Sequence, residues 1–331
     1  MSFIRTVLGD VEPGSLGRVD YHEHLFQVSP LLPGDELDDE GASTDEARLL
    51  AGSGFDAMVD ATPIGLGRRP EAVARISRAV ALSVVATTGV HREAHYPEGH
   101  WLRDTDAGTR LDLFLADLLH GMAAEDGPRA AAATERAGDF SDASDASDGG
   151  TPIRAGLLKA GIGYWSISAF ERRTLDAVAA AAAETGAPVM IHLEFCTGAH
   201  EVLDVLTAAG VPEHRVVLAH ADRDPDPGLH LELTSRGAWL GYDGMARPRT
   251  RSDAELLALT EAVVSGGGSG RILLGGDVAR STRYAAYDGM PGLAYLGARY
   301  VPRLRERIGA PATERILAAN PQRFLTWSSG G

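Results

Sequence analysis

His22-Glu23-His24 closes an apolar stretch, Leu16-Gly17-Arg18-Val19-Asp20-Tyr21. On a β-strand, residues two apart point to the same face, so these imidazoles project side by side, as two ligands of one metal must. Imidazole is the commonest protein ligand for zinc and its neighbours. Alone, the pair is weak evidence, and two unrelated surface or core histidines are the more ordinary reading. Further residues shift the reading. Lys159 lies near the end of Gly156-Leu157-Leu158-Lys159-Ala160, His192 ends Val189-Met190-Ile191, His220 ends Val216-Val217-Leu218-Ala219, and Asp277 ends Ile272-Leu273-Leu274-Gly275-Gly276. Burying such groups together is costly unless a metal or dense hydrogen bonding compensates. Taken whole, the set reads as a metal site. No Gly-x-Ser-x-Gly supports a serine nucleophile. The single cysteine, Cys196, reads as a packing residue beyond the His192 run.

These residues need elements that bring them together. Eight apolar runs stand at Arg18–His24, Phe55–Ala61, Ser83–Gly89, Arg154–Ala160, Val189–Glu194, Arg215–His220, Ala238–Asp243 and Arg271–Asp277. Several are rich in Val, Ile and Leu without alternation, as strands buried on both faces are. Helical patterns separate them. Ser168–Glu184 opens on a Ser with an acid at Glu171 and stops at Gly186-Ala187-Pro188; Thr197–Gly210 and Ser252–Ser265 behave similarly. Strand followed by helix, eight times over, predicts an α/β fold, a single-domain (β/α)8 TIM barrel over residues 1–331. In that fold all eight strand ends meet at one rim, where the active site forms. A low-complexity acidic stretch near 125–150, with Ser141-Asp142-Ala143-Ser144-Asp145, interrupts the pattern and reads as an insertion before the fourth strand.

Composition bounds the partners. The net charge is −15, from 31 basic and 46 acidic residues. That argues against nucleic acid or an anionic membrane as partner and leaves a small-molecule substrate. One cysteine allows no internal disulfide and suits a reducing cytoplasm. No run approaches the roughly 20 apolar residues of a membrane span, and the N-terminus lacks the pattern of a signal peptide. A cytoplasmic location is the expectation.

The motifs resemble the phosphotriesterase-related branch of the amidohydrolase superfamily. They are Val7-Leu8-Gly9-Asp10 leading into His22-Glu23-His24-Leu25, then Leu158-Lys159-Ala160-Gly161-Ile162-Gly163, Gly186-Ala187-Pro188 before His192, His220-Ala221-Asp222-Arg223, and Gly276-Asp277. The resemblance covers nearly the whole chain outside the insertion. It implies two divalent metal ions (zinc, manganese, cobalt or iron). His22, His24 and Asp277 would hold the buried one, and His192 and His220 the more exposed one. Lys159, carboxylated by CO2 to a carbamate, would bridge both together with a hydroxide. Read from the residues alone, Lys159 is either that carbamate, an amine kept neutral by desolvation, or a structural lysine paired with an acid. Paired metals lower the pKa of the shared water and polarise the substrate oxygen. Asp277 would accept the proton. A homodimer is implied by the resemblance only.

Members of the branch hydrolyse lactones, phosphotriesters or related esters. Those acting on acyl-homoserine lactones carry an arginine near position 244, where this chain has Gly244, which speaks against that substrate. His91 and Tyr96, beyond the third run, are candidates for substrate contact. Arg247, Arg280 and Arg283 could gather at the same rim, where guanidinium forks suit phosphate or carboxylate. The expected reaction is opening of a sugar lactone or phosphorylated sugar lactone. A phosphotriester or other ester is the alternative, and a non-catalytic binding barrel the second.

Overall fold

The computed structural model describes residues 2–127 and 151–327. Eight parallel strands run in chain order around a barrel: β1 (Val19–Glu23), β2 (Ala57–Asp60), β3 (Ser83–Val90), β4 (Leu157–Ile162), β5 (Val189–Leu193), β6 (Val216–Ala219), β7 (Trp239–Tyr242) and β8 (Ile272–Leu274). A helix follows each in turn: α1 (Glu40–Gly52), α2 (Pro70–Val80), α3 (Ala107–Leu119), α4 (Ala169–Thr185), α5 (Ala199–Ala208), α6 (Pro227–Arg236), α7 (Asp253–Ser265) and α8 (Val301–Glu314). This is the (β/α)8 barrel that the eight runs predict. Apart from Ser83 at the start of β3, the strands are buried, as their unbroken apolar character requires. Two of the three expected helix starts carry their caps; α5 instead opens on Gly198 in the left-handed region with no side-chain cap. Ser168 with Glu171, and Ser252 with Glu255, form reciprocal capping boxes, and Gly186 ends α4 in the left-handed region.

Inward side chains stack in layers. Val19, Val85, Leu157, Met190, Val217, Trp239 and Leu273 fill the lower interior, and the other strand faces pack against the helices. Two residues further along β4 and β5 the same face carries Lys159 and His192. On β1 the register against β2 slips between Asp20 and Glu23. Such a bulge re-aims side chains beside active sites. Here it lets Tyr21 join the interior cluster while the next residue, His22, reaches Lys159.

The seam between β8 and β1 is closed partly by side chains. Asp277 N donates to His22 O at 2.8 Å. The Asp20 carboxylate accepts from Gly276 N at 3.3 Å, and that of Glu23 from Val278 N at 2.9 Å. A Cβ at residue 276 would fall 2.0 Å from Glu23 Oε1, so a larger residue there would displace the Glu23 carboxylate from the seam.

At the opposite end, Ile4–Thr6 and Gly9–Val11 form a small antiparallel hairpin that the sequence reading did not resolve as strands. Phe3 pairs with Trp327, and Arg5 lies over both rings at 5.0 and 4.5 Å. Of the insertion near 125–150, Glu125–Gly127 are described. Asp126 accepts from Gly65 N at 2.7 Å and Arg68 Nε at 2.8 Å. Residues 128–150 lie outside the described residues. Among the described residues, no helix is long and apolar enough to cross a membrane.

Candidate active site

His22, His24, Lys159, His192, His220 and Asp277 all line one cleft of about 1000 Å³ at the C-terminal rim. Each is at least nine-tenths buried. Backbone conformation helps to aim two of them. His220 (φ 62) and Asp277 (φ 42) adopt the left-handed region just beyond β6 and β8. Such a conformation costs on the order of 1–3 kcal/mol for a residue with a side chain and concentrates at functional sites.

Ligand atoms of His22, His24 and Asp277 lie within 4.8 Å of one another, and so do those of His22, His220 and Asp243. Asp277 Oδ1 is 3.8 Å from His22 Nε2 and 3.7 Å from His24 Nε2. Lys159, fully buried, places Nζ 2.8 Å from Ala61 O and 3.4 Å from His22 Nε2. The His192 ring packs on that of His220 at 4.5 Å, while its Nε2 faces Glu194 at 2.9 Å. Outer partners orient the rings: Thr62 Oγ1 holds His24 Nδ1 at 2.7 Å, and Asp243 Oδ1 holds His220 Nδ1 at 2.6 Å. Tyr21 donates to the other oxygen of Asp243.

Burial holds His22, His24 and His192 well below the usual imidazole range and lowers His220 as well. Burial also pulls the Lys159 amine down to about 8. Burial would raise Asp277, but the guanidinium of Arg247, with that of Arg223, outweighs it and keeps the carboxyl well below the ordinary range. The set therefore comprises neutral imidazoles with lone pairs, an ionised carboxylate and an amine close to losing its proton. His22 Nδ1 is moreover buried without a hydrogen-bond partner. This donor chemistry fits divalent cations.

Four of the five predicted substrate contacts line the cleft. Arg247 reaches deepest, donating to Asp277 Oδ2 at 2.8 Å and to Asp243 O at 2.6 Å. Arg283 lies over the same turn, 3.4 Å from Asp277 O and 3.3 Å from Val278 O. Arg280 stands at the outer rim, half exposed, 3.5 Å from Asp35. His91 lines the cleft beside His192, with ring centroids 4.4 Å apart.

Tyr96 does not line the cleft. The chain turns back after β3, and the ring is fully buried against Phe170. Its hydroxyl accepts from His91 N at 2.9 Å and donates to Ile64 O at 2.9 Å. A position supporting the His91 loop replaces the expected substrate contact. Tyr96→Phe would strand both buried backbone groups, which is expected to cost about 1–3 kcal/mol in denaturant unfolding.

Sequence reasoning missed Arg223, 3.5 Å from Asp277, together with Asp243 and the Arg92–Glu194 pair at 3.2 Å. Asp243 carried a usable signal, since it ends the seventh run as Asp277 ends the eighth. Arg223 and Glu194 sit in turns just past the strands, where no periodicity shows which way a side chain faces.

Comparison with known proteins agrees with this geometry. A model of the phosphotriesterase family matches residues 2–129 and 127–325. A lactonase from Listeria monocytogenes superposes with a TM-score of 0.84 at 28% identity, covering 99% of this chain and 100% of that one. A phospho-furanose lactonase of Mycoplasmopsis agalactiae is 26% identical over 345 residues, covering 98% of this chain and 92% of that protein. An N-acetyltaurine hydrolase of Danio rerio is 26% identical over 370 residues, covering 98% of each. With a barrel that carries this polar cluster at its catalytic rim, the chain belongs to the phosphotriesterase family and is a hydrolase.

Proposed function

We propose that the protein opens a sugar lactone bearing an anionic group, with phosphate as the leading candidate. The observation that carries this reading is the convergence of Arg247, Arg283 and Arg223 on the cleft wall around Asp277. Guanidinium forks in such a place match phosphate or carboxylate oxygens. The phospho-furanose lactonase among its relatives is named for a substrate that combines a lactone with phosphate. N-acetyltaurine, named for another, likewise joins a hydrolysable carbonyl to an anion.

His22, His24 and Asp277 would hold one divalent cation and His192 and His220 a second, with Lys159, carboxylated by CO2, between them. When bound, such a pair polarises the scissile carbonyl and acidifies water. The residues of the chain do the rest. Arg247 and Arg283 anchor the anion and orient the ring. Asp277, ionised at neutral pH, offers a carboxylate oxygen to take the proton of the attacking water. Asp243 and Thr62 keep the His220 and His24 rings from turning. The lowered pKa of Lys159 suits carbamate formation, because the free amine is the form that adds CO2.

The test is a panel of five- and six-membered sugar lactones, with and without phosphate, against protein reconstituted with Zn²⁺, Mn²⁺ or Co²⁺. Arg283→Ala should lower kcat/KM for the phosphorylated members at least tenfold more than for their neutral counterparts. Equal losses on both would remove anion recognition from the reading. Turnover of phosphotriesters but of no lactone would favour the alternative ester chemistry.

A further inference from the structure

His91 presents a hydrogen-bond donor, and its surroundings decide which nitrogen carries the hydrogen. Its Nδ1 accepts from Arg92 N at 2.7 Å. A hydrogen on Nδ1 would oppose that N–H, so the hydrogen resides on Nε2. The Nδ1 edge is pressed against β4, where a Cβ at residue 161 would fall 3.0 Å from Nδ1 and 2.8 Å from Arg92 N. Only glycine admits the ring there. The opposite edge carries Nε2, which makes no hydrogen bond among the described residues, and the residue lines the cleft.

Neighbouring rings crowd it. The His95 ring lies 3.9 Å away, tilted by 40°, and the His192 ring 4.4 Å away, tilted by 57°. His95 is itself held by Ser29 Oγ at 2.9 Å, and the backbone N of His91 is tied to the Tyr96 hydroxyl. A donor held this firmly, beside a candidate metal-binding histidine and with no partner of its own, is preorganised for an oxygen that gains charge during reaction.

Resting on the lactone-opening reading, we propose that His91 is a catalytic residue whose Nε2–H donates a hydrogen bond to the carbonyl oxygen of the scissile bond as the attacking water adds. The proton stays on Nε2. Its release would leave an imidazolate, so His91 stabilises charge and transfers nothing.

The experiment compares His91→Phe and His91→Gln in zinc-reconstituted protein, on the lactone that the unaltered enzyme turns over fastest. Phe keeps the planar bulk and loses the donor, whereas Gln supplies an N–H near the Nε2 position. Losing one preorganised donor costs roughly 10²-fold in kcat. His91→Phe should show that loss in kcat with KM changed less than threefold, and His91→Gln should stay within tenfold of the unaltered enzyme. Zinc content should not change in either. A purely structural ring would give the opposite order, with Phe tolerated and Gln not, and that order overturns the proposal, as does unchanged kcat in His91→Phe. Independently, ¹⁵N spectra of the ring should show the Nε2–H tautomer, and an Nδ1–H tautomer refutes the proposal without any substrate. An enzyme inert to every lactone would sink the functional reading alone, and the tautomer would still judge His91.

Discussion

Exhaustive chelation is expected to abolish lactone hydrolysis, and added Zn²⁺, Mn²⁺ or Co²⁺ to restore it. The expectation follows from what the chain itself offers. Among the described residues, the cleft shows no built serine or cysteine nucleophile. Cys196 is buried beyond β5, and burial pushes its thiol up to about 12, away from the reactive thiolate. The cleft instead presents four imidazoles kept neutral by burial and one carboxylate kept ionised by its arginines. Without cations these groups can bind and orient a lactone, but none can make water a strong nucleophile. The loss should exceed about 10³-fold, since activation of water is the larger part of such catalysis. Unfolding in denaturant should report a second effect. Ions that bind only the folded chain stabilise it by RT ln(1 + [L]/Kd), about 2.7 kcal/mol at a hundred times Kd. Full activity after metal has been shown absent by elemental analysis would end the hydrolytic mechanism proposed above.

Lys159→Met should have the next largest effect. Methionine nearly matches the bulk of the lysine stem but offers neither amine nor carbamate. Nothing else on the inner face of β4 can replace it, since the next inward position is Gly161. Metal content should fall by at least one equivalent per chain and kcat/KM by about 10³-fold. Because the side chain is fully buried, the variant also removes a costly desolvated amine and should fold at least as well. Lys159→Arg separates the remaining possibilities. It retains positive charge but cannot form the carbamate, so it should be as inactive as Lys159→Met. If Lys159→Met kept its full metal complement, the bridging role would be refuted and a structural lysine would remain.

Much of this architecture was legible before any coordinates. The strands lie within one to three residues of the apolar runs, because a strand buried on both faces must be apolar along its length and must end where polar groups begin. For the same reason the six candidate ligands were visible: each breaks an apolar run at its end. Parallel topology then does the gathering, because all strand ends point one way.

What stayed hidden lies in the turns. Tyr96 and His91 sit five residues apart beyond β3, and composition cannot show that one faces the core and the other the cleft. Glu194 and Arg223 were obscure for the same reason. The hairpin of Ile4–Thr6 and Gly9–Val11 was too short for periodicity to reveal. Asp243 was legible and overlooked: it ends its run in the same way, but its role is to hold His220 and Tyr21 rather than to stand free.

The seam between β8 and β1 has a consequence for how the protein matures. His22 and His24 belong to the first strand of the barrel and Asp277 follows the last, and they meet only when Asp277 N reaches His22 O across that seam. A nascent chain still on the ribosome carries both histidines long before the aspartate exists. On the proposed assignment, the cation site of His22, His24 and Asp277 is complete only after the stretch that carries Asp277 has been synthesised.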